Sequence, residues 1–170
     1  MATTTARRAR TAKKRAPAAK KRAAAPKKAA RAVKRPAARA PAMVRRAIDP
    51  GWTWDDGLPL AQARQLGNTI YVSGQVAYNA EGRLVGEGDM KAQTRQVFDN
   101  IRAVLAAAGA GMGDIIKINT YITDQGKFMD MLEARKEIFG ANPPASTAVV
   151  VAGLAFPGLL IEVEAIAIKS

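Results

Sequence analysis

Two acidic side chains in an apolar stretch near the carboxyl end of the chain are the clearest candidates for chemistry. Glu162 and Glu164 lie two residues apart within the apolar run Leu159–Ile168. Residues two apart on a β-strand project from the same face, so a strand here would present both carboxylates together. Carboxylates are rarely buried on an apolar strand unless they are paired or used. We therefore predict a functional site on this strand.

The rest of the composition narrows the chemistry that this site can perform. The chain has 170 residues, enough for one core and too few for two ordinary domains. It contains no Cys and no His, which excludes thiol nucleophiles, disulfides, imidazole bases and the usual zinc ligands. No apolar run reaches the roughly 18 residues of a membrane span, and no signal peptide is recognisable. We expect a cytoplasmic protein without a membrane partner.

Positive charge is concentrated at the amino end of the chain. Fifteen of the 27 Lys and Arg residues lie before Met43, where there is no acid. The remaining 12 basic residues face 14 acidic ones, a balance of −2. Residues 1–42 consist almost wholly of Ala, Lys, Arg, Pro and Thr and offer little apolar surface to offset the entropy of ordering. We predict a disordered basic tail over 1–42 and one globular domain over 43–170.

Several functions of this tail remain open. It resembles the Ala/Lys/Pro tails of linker-histone-like proteins and would bind nucleic acid through counterion release. No aromatic side chain is interleaved, so we expect such binding to be non-specific. The tail could instead be a solubilising extension, an organelle-targeting presequence or a stretch upstream of a true start at Met43.

The elements that must position the two acids follow from periodicity, which predicts the order β-β-β-α-β-α-β-β. Strands are expected over 59–65, 69–76, 83–85 and 114–123 and over the apolar runs of residues 148–151 and 159–168. Apolar residues at helical spacing predict one helix from an Asp89 cap to Gly109 and another from Thr123 or Asp124 to Phe139. Strands joined through helices imply some parallel pairing. The fold class is therefore α+β, with two helices on one face of a mixed sheet.

Two further patterns bear on packing. In the strand over 114–123, Ile116 and Ile118 are expected on one face and Ile115 on the other, so both faces of the sheet would be apolar. With no third helix, the simplest cover is another copy of the chain. Trp52 and Trp54 alternate with Thr53, and packing in the core or between subunits is favoured over ligand stacking.

Five segments in order and at consistent spacing resemble the RidA/YjgF family of reactive-intermediate deaminases. They are LGNTIYVSGQV (66–76), AQTRQVFDNIRAVLAAAG (92–109), GDIIKINTYITD (113–124), PPAST (143–147) and IEVEAIA (161–167). The resemblance implies a chorismate-mutase-like fold and a homotrimer with clefts between subunits. It also implies hydrolysis of enamine and imine intermediates, such as those from 2-aminoacrylate, to 2-keto acids and ammonia, without a metal or organic cofactor.

In members with this activity, an Arg after the Pro-Ala of the penultimate strand pairs with the substrate carboxylate. A Glu in the last strand helps to position the attacking water, and a Tyr after an early Gly-Pro lines the cleft. Glu162 matches that Glu and is the catalytic candidate. Ser146 stands at the Arg position, Ala148 at a small thiol position two further on, and Leu60 at the Tyr position. The candidates for substrate binding are Ser73, Gly74, Gln75, Ser146, Thr147 and Leu60.

The missing Arg leaves the activity open. A charge-assisted hydrogen bond contributes about 1.5–3 kcal/mol, so its loss predicts at least about tenfold slower turnover of 2-imino acids. Lys117 or Arg64 could supply another cation. Glu162 could equally be a structural acid at a subunit interface, and a structural role is favoured for Glu164.

Two functions follow. The first is a trimer that binds a small metabolite between subunits, with weakened or altered imine hydrolysis. The second is a non-catalytic trimer whose tails contact nucleic acid.

Overall fold

The computed structural model describes residues 45–170, and the prediction for the tail over 1–42 lies outside them. The elements of the described part, named here in chain order, are two α-helices and six strands. They are β1 (Arg45–Ile48), β2 (Ala63–Leu66), β3 (Thr69–Val76), α1 (Met90–Ala107), β4 (Ile115–Ile122), α2 (Phe128–Phe139), β5 (Ala145–Val150) and β6 (Ile161–Ile168).

The strands form one six-stranded sheet in the order β1-β2-β3-β6-β4-β5. Only β4 and β5 pair in parallel, and α2 is the crossover between them. Alternate residues of β6 face the helices and are buried there with Ile101 and Leu105 of α1 and Met131 of α2. The predicted α+β fold, a mixed sheet with two helices, is confirmed.

The helix boundaries follow the predicted signals. Asp89 caps α1, and its carboxylate accepts a hydrogen bond from the Ala92 N–H at 3.0 Å. Gly109 follows α1 with φ +71°, a conformation that favours glycine. Asp124 caps a single 3₁₀ turn, residues 125–127, that leads into α2.

The predicted number of strands is right, but one strand is misplaced. Residues 83–85 do not form a strand and contribute a single bridge between Tyr78 and Leu84. The sixth strand is β1, which pairs with β2 and carries two exposed arginines instead of an apolar alternation. The strand expected over 59–65 begins at Ala63, because the Leu60 N–H turns back to the Leu58 carbonyl at 2.8 Å.

The pairing register shifts at two places where β6 meets its neighbours. In the β4–β6 pair the shift falls between Ile115 and Lys117. It buries Ile115 and leaves Ile116 47% exposed, which reverses the predicted faces of these two residues. Ile118, Thr120 and Ile122 are buried on the helix side as predicted.

We call the side of the sheet away from the helices the open face. It was expected to be apolar, but it carries both polar and apolar side chains. Its central strands alternate buried core residues with outward residues of both kinds, polar over most of β4 and at Glu162 and Glu164, but apolar at Ile166 and Ile168. Outward side chains at its centre include Lys117, Asn119, Tyr121, Glu162 and Glu164. Such a face can hold polar ligands and does not require a purely apolar cover.

The two tryptophans belong to an aromatic cluster. The Trp52 and Trp54 rings stack with centroids 6.2 Å apart, and Trp54 contacts Tyr78 at 5.8 Å. Trp52 also packs against the hydrophobic core. These contacts agree with the packing interpretation of both side chains.

Candidate functional site

Glu162 occupies space left open by a glycine on the neighbouring strand. The register between β3 and β6 shifts between Val72 and Gln75, which places Gly74 beside the Glu162 side chain. A Cβ built on Gly74 would lie 2.8 Å from Glu162 Cδ and closer still to Oε1. The φ angle of Gly74 is not in the left-handed region, so its backbone conformation does not require glycine. Glycine is needed here because a larger side chain would collide with Glu162.

The Glu162 carboxylate makes no side-chain hydrogen bond or ion pair with any residue of the 45–170 region. Burial raises its pKa, and repulsion from Glu164 adds to the shift. A half-buried acid that is desolvated and unpaired costs folding energy unless it has another use. Perturbed carboxylates in clefts are typical general bases.

Glu164 has the opposite environment. Its Oε1 accepts hydrogen bonds from Asn119 Nδ2 at 2.7 Å and from the Tyr121 hydroxyl at 3.1 Å. Burial raises the pKa of Tyr121, with its hydrogen bond to Glu164 and the two nearby charges adding to the shift. Tyr121 therefore remains a protonated donor, and Glu164 is fixed in place.

The two carboxylates border a depression that we call the Glu162 cleft. Its volume is about 370 Å³, and no Lys or Arg of the described chain lines it. The lining residues are Tyr121, Val151, Gly153, Leu154, Ala155, Glu162 and Glu164. Residues 45–170 contain no group of three or more His, Cys, Asp or Glu arranged to hold a metal ion. The cleft is thus acidic, with an apolar wall.

The structure brings only some of the predicted binding residues to Glu162. Ser73 is adjacent to Gly74, and its hydroxyl donates to the Ala61 carbonyl at 2.7 Å, next to the exposed Leu60. Gln75 lies on the helix side and is only 2% exposed, with Nε2 donating to Gln62 Oε1 at 2.8 Å. The register shift at Ser73–Gly74 turns Gln75 inward.

Ser146 and Thr147 lie apart from Glu162 within one protomer. Tyr121 pairs with Glu162 on one side and with Val149 on the other, so Ser146 is three residues, about 10 Å, further along the sheet. Ser146 pairs with the buried Ile118 and therefore faces the helix side. Thr147 belongs to the open face, where its Oγ1 accepts a hydrogen bond from Lys117 Nζ at 2.6 Å.

A second depression, the β5-edge groove, lies on the side of Ala148. It has a volume of about 340 Å³ and an apolar lining without a charged residue. The lining residues are Ile122, Gln125, Phe128, Met129, Ala148, Val149 and Val150. Met129 lies on α2 and is 62% exposed, which marks the groove as an unfilled apolar surface.

Sequence reasoning also missed the two groups that fix Glu164. Asn119 and Tyr121 alternate on β4 as Glu162 and Glu164 alternate on β6. This matched alternation could have predicted the hydrogen bonds to Glu164. It does so only once β4 is known to pair with β6, which the sequence alone does not reveal.

The sequence pattern of the family described as Endoribonuclease L-PSP matches residues 58–169. The chain belongs to this family. The predicted RidA/YjgF membership is therefore confirmed.

Similar proteins and solved structures support the same family membership. A RutC family protein of Pyrococcus horikoshii is 42% identical over 111 residues, which cover 65% of this chain and 87% of that protein. A 2-iminobutanoate/2-iminopropanoate deaminase of Dermatophagoides farinae is 36% identical over 110 residues, 65% of this chain and 85% of that one. The crystal structure of the YjgF gene product of E. coli matches with a TM-score of 0.66 at 34% identity, covering 74% of this chain and 99% of the other.

No helix within residues 45–170 has the length and apolar character needed to cross a membrane.

Proposed function

We propose that this protein hydrolyses imines, with Glu162 as the group that positions and deprotonates the attacking water. The observation that carries the proposal is the Glu162 carboxylate, which is half-buried and unpaired in a cleft and is given room by Gly74. A 36% identical relative is named an imine deaminase, which supports the reaction class.

The reaction needs only water and a base. Water adds to the carbon of the C=N bond while one of its protons passes to Glu162. With the imine nitrogen protonated at the start, Glu162 then returns this proton to the nitrogen of the resulting carbinolamine and the C–N bond breaks. Ammonia leaves as the carbinolamine hydroxyl gives its own proton to Glu162 and becomes the carbonyl. A carboxylate with a raised pKa is a stronger base than an ordinary glutamate, which suits this proton transfer.

We also propose that the working site lies between copies of the chain, in a homotrimer. Glu162 and Ser146 are on different faces of one protomer, and β5 is an edge strand with exposed Val149 and Val150. A head-to-tail contact between the β5-edge groove of one copy and the Glu162 cleft of the next would unite them, and a rotation of 120° per copy would close such contacts into a ring of three. Light scattering should give the mass of three chains, and a monomeric mass at assay concentration would contradict this arrangement.

Within this site, Ser73, Gln75, Ser146, Thr147 and Leu60 are proposed to shape the pocket for a small metabolite. Ser73 and Leu60 would act on the Glu162 side and Ser146 and Thr147 on the β5 side, with Gln75 acting through the buried contact to Gln62. Because Ser146 carries no charge, we expect turnover of 2-imino acids to be weaker than in members with Arg at that position.

The test compares Glu162→Gln with native protein on imines generated in situ by a flavin oxidase. We expect loss of about 10²-fold or more in the hydrolysis rate, because Gln cannot take the proton. Glu133→Gln is the matched control, since Glu133 lies on α2 and pairs with Lys91 away from the cleft. If Glu162→Gln kept most of the native rate, Glu162 would not be the base.

A second candidate function is non-specific contact with nucleic acid through residues 1–42. It is favoured by the fifteen basic residues without an acid in that segment. Three such tails on one trimer would gain avidity. We expect a gel shift that weakens by about 10³-fold or more between about 50 and 200 mM salt and that disappears when residues 1–42 are removed. A shift that survives the truncation would contradict this role of the tail.

A further inference from the structure

We infer that the site accepts imines that carry no carboxylate, formed from apolar primary amines and not from amino acids. The inference rests on the proposed function and names its substrate class. It follows from the charges and the apolar surfaces that face the two depressions around Glu162 and Ala148.

The Glu162 cleft favours positive charge and opposes negative charge. Glu162 and Glu164 both face it, and no cation among its lining residues offsets them. A protonated imine is a cation, and carboxylates within a few ångströms stabilise its charged, more electrophilic form. A substrate carboxylate in the same space would meet two like charges, which disfavours a 2-imino acid.

The cations of the open face do not line this cleft. Lys117 pairs with Ile166, four residues along β4 from the Tyr121–Glu162 pair, which is a separation of about 13 Å. Its ammonium is bound to Thr147 Oγ1, and it lines a neighbouring groove together with Arg64, on the other side of Glu164 from the cleft. Arg83, another basic residue of the described chain, pairs with Glu81 at 3.5 Å.

The β5-edge groove adds the apolar part of the preference. Phe128, Met129, Val149 and Val150 line it, and Gln125 is its only polar residue. If this groove of one copy meets the Glu162 cleft of the next, the residues that line the groove add no cation, and the Lys117 ammonium on the β5 side is held by Thr147 Oγ1. It would hold a hydrocarbon side chain on one side and the C=N group beside Glu162 on the other.

The test uses two imines with the same side chain. A flavin L-amino acid oxidase converts leucine to its 2-imino acid, and a flavin amine oxidase converts isoamylamine to the imine that lacks the carboxylate. The initial rate of ammonia release above the rate without the protein reports hydrolysis of each imine. We expect the native protein to favour the isoamylamine product by about tenfold or more in kcat/KM. Equal or faster hydrolysis of the leucine product would overturn the inference.

A substitution at the β5 edge sharpens the test. Ser146→Arg should raise the relative rate on the leucine-derived imine by about tenfold, because it supplies a carboxylate partner. Ser146→Gln is the neutral control of similar length, and whatever it does to the overall rate it should not shift the preference toward the leucine-derived imine. If Ser146→Gln had the same effect as Ser146→Arg, charge would not be the cause of the preference, and the inference would fail.

Calorimetry separates a failure of the inference from a failure of the proposed function. Isocaproamide and isocaproate have the same carbon skeleton and differ in charge, and neither is an imine. We expect the amide to bind about tenfold more tightly or better. If neither imine were hydrolysed above the spontaneous rate, the proposed function would fail. Tighter binding of isocaproate would overturn the ligand class independently of turnover.

Discussion

Strand β6 meets its two neighbours in different ways, and the difference separates two acids that the sequence presents as a pair. On the β3 side, a register shift and Gly74 leave an open space that the Glu162 carboxylate occupies without a partner. On the β4 side, Asn119 and Tyr121 donate two hydrogen bonds to Glu164. Residues two apart on one strand face therefore have unequal environments, because each side chain meets a different neighbouring strand.

The contrast indicates how a sheet can hold a reactive carboxylate. Glu164 is anchored and contributes a fixed negative charge, while Glu162 is left free and its pKa is raised. Pairs of titratable groups with different environments are typical of acid–base sites. Changes on either side of β6 should therefore have distinct effects, which the following predictions separate.

The largest effect should come from filling the space on the β3 side. Gly74→Ala would place a methyl group on the Glu162 carboxylate. We expect a loss of about 1–3 kcal/mol in the free energy of unfolding, measured by urea denaturation, together with loss of imine hydrolysis. Gly153→Ala is the matched control, since Gly153 lines the same cleft with nothing within 4 Å of the added Cβ. If the two variants had the same free energy of unfolding and the same hydrolysis rate, Gly74 would not have the role assigned to it.

A smaller effect is expected on the β4 side. Tyr121→Phe removes one of the two hydrogen bonds to Glu164 and should lower the free energy of unfolding by about 0.5–1.5 kcal/mol. Because the hydrogen bond of this hydroxyl goes to Glu164 and not to Glu162, the hydrolysis rate should fall far less than in Glu162→Gln. A Tyr121→Phe rate as low as that of Glu162→Gln would mean that Tyr121 belongs to the catalytic machinery.

The smallest effect should appear in thermal unfolding as a function of pH. The folded state raises the pKa of Glu162, so it binds more protons than the unfolded state just above the ordinary glutamate range. The contribution of Glu162 to the free energy of unfolding therefore falls as the pH rises from the ordinary glutamate pKa to the raised pKa of the folded state. We expect Glu162→Gln to increase Tm relative to native protein more at about pH 7 than at about pH 4.

Glu133→Gln is the control, because its effect on Tm near neutral pH should have the opposite sign to that of Glu162→Gln. The hydrogen bond and charge of Lys91 lower the pKa of Glu133, so its stabilisation is present at neutral pH and lost as pH falls. Glu133→Gln should therefore decrease Tm near neutral pH and have less effect in acid. Identical pH profiles for the two variants would contradict the difference between their environments.

Much of the fold could be predicted because local signals agreed with the final packing. The run Thr69–Val76 is rich in β-branched residues and forms β3 with the predicted ends. Asp89 and Gly109 mark the ends of α1 through capping and φ preferences that act within one turn. β1 was missed because its exposed arginines show no strand alternation, and it exists only through pairing with β2.

The site was less predictable because it depends on irregular pairing. Strict alternation would place Ser73 and Gln75 together on one face, but the register shift buries Gln75 beside Gln62. The same kind of shift exchanges the faces of Ile115 and Ile116, so that Ile115 is buried and Ile116 is exposed. A shift of one residue reverses every following side chain, and periodicity alone does not reveal where it occurs. Glu162 and Gly74 were found separately, but their contact was not.

The measurement that tests the central claim most directly is a carbon-13 NMR titration of the Glu162 side-chain carboxyl in the native protein. The account predicts a midpoint above the usual glutamate value of 4.5, because the carboxyl is partly buried, unpaired and close to Glu164. In Glu164→Gln the midpoint should fall but remain above 4.5, since burial is the larger cause. A native midpoint at or below 4.5 would show that Glu162 has a stabilising partner, and would contradict its assignment as the free carboxylate of the cleft.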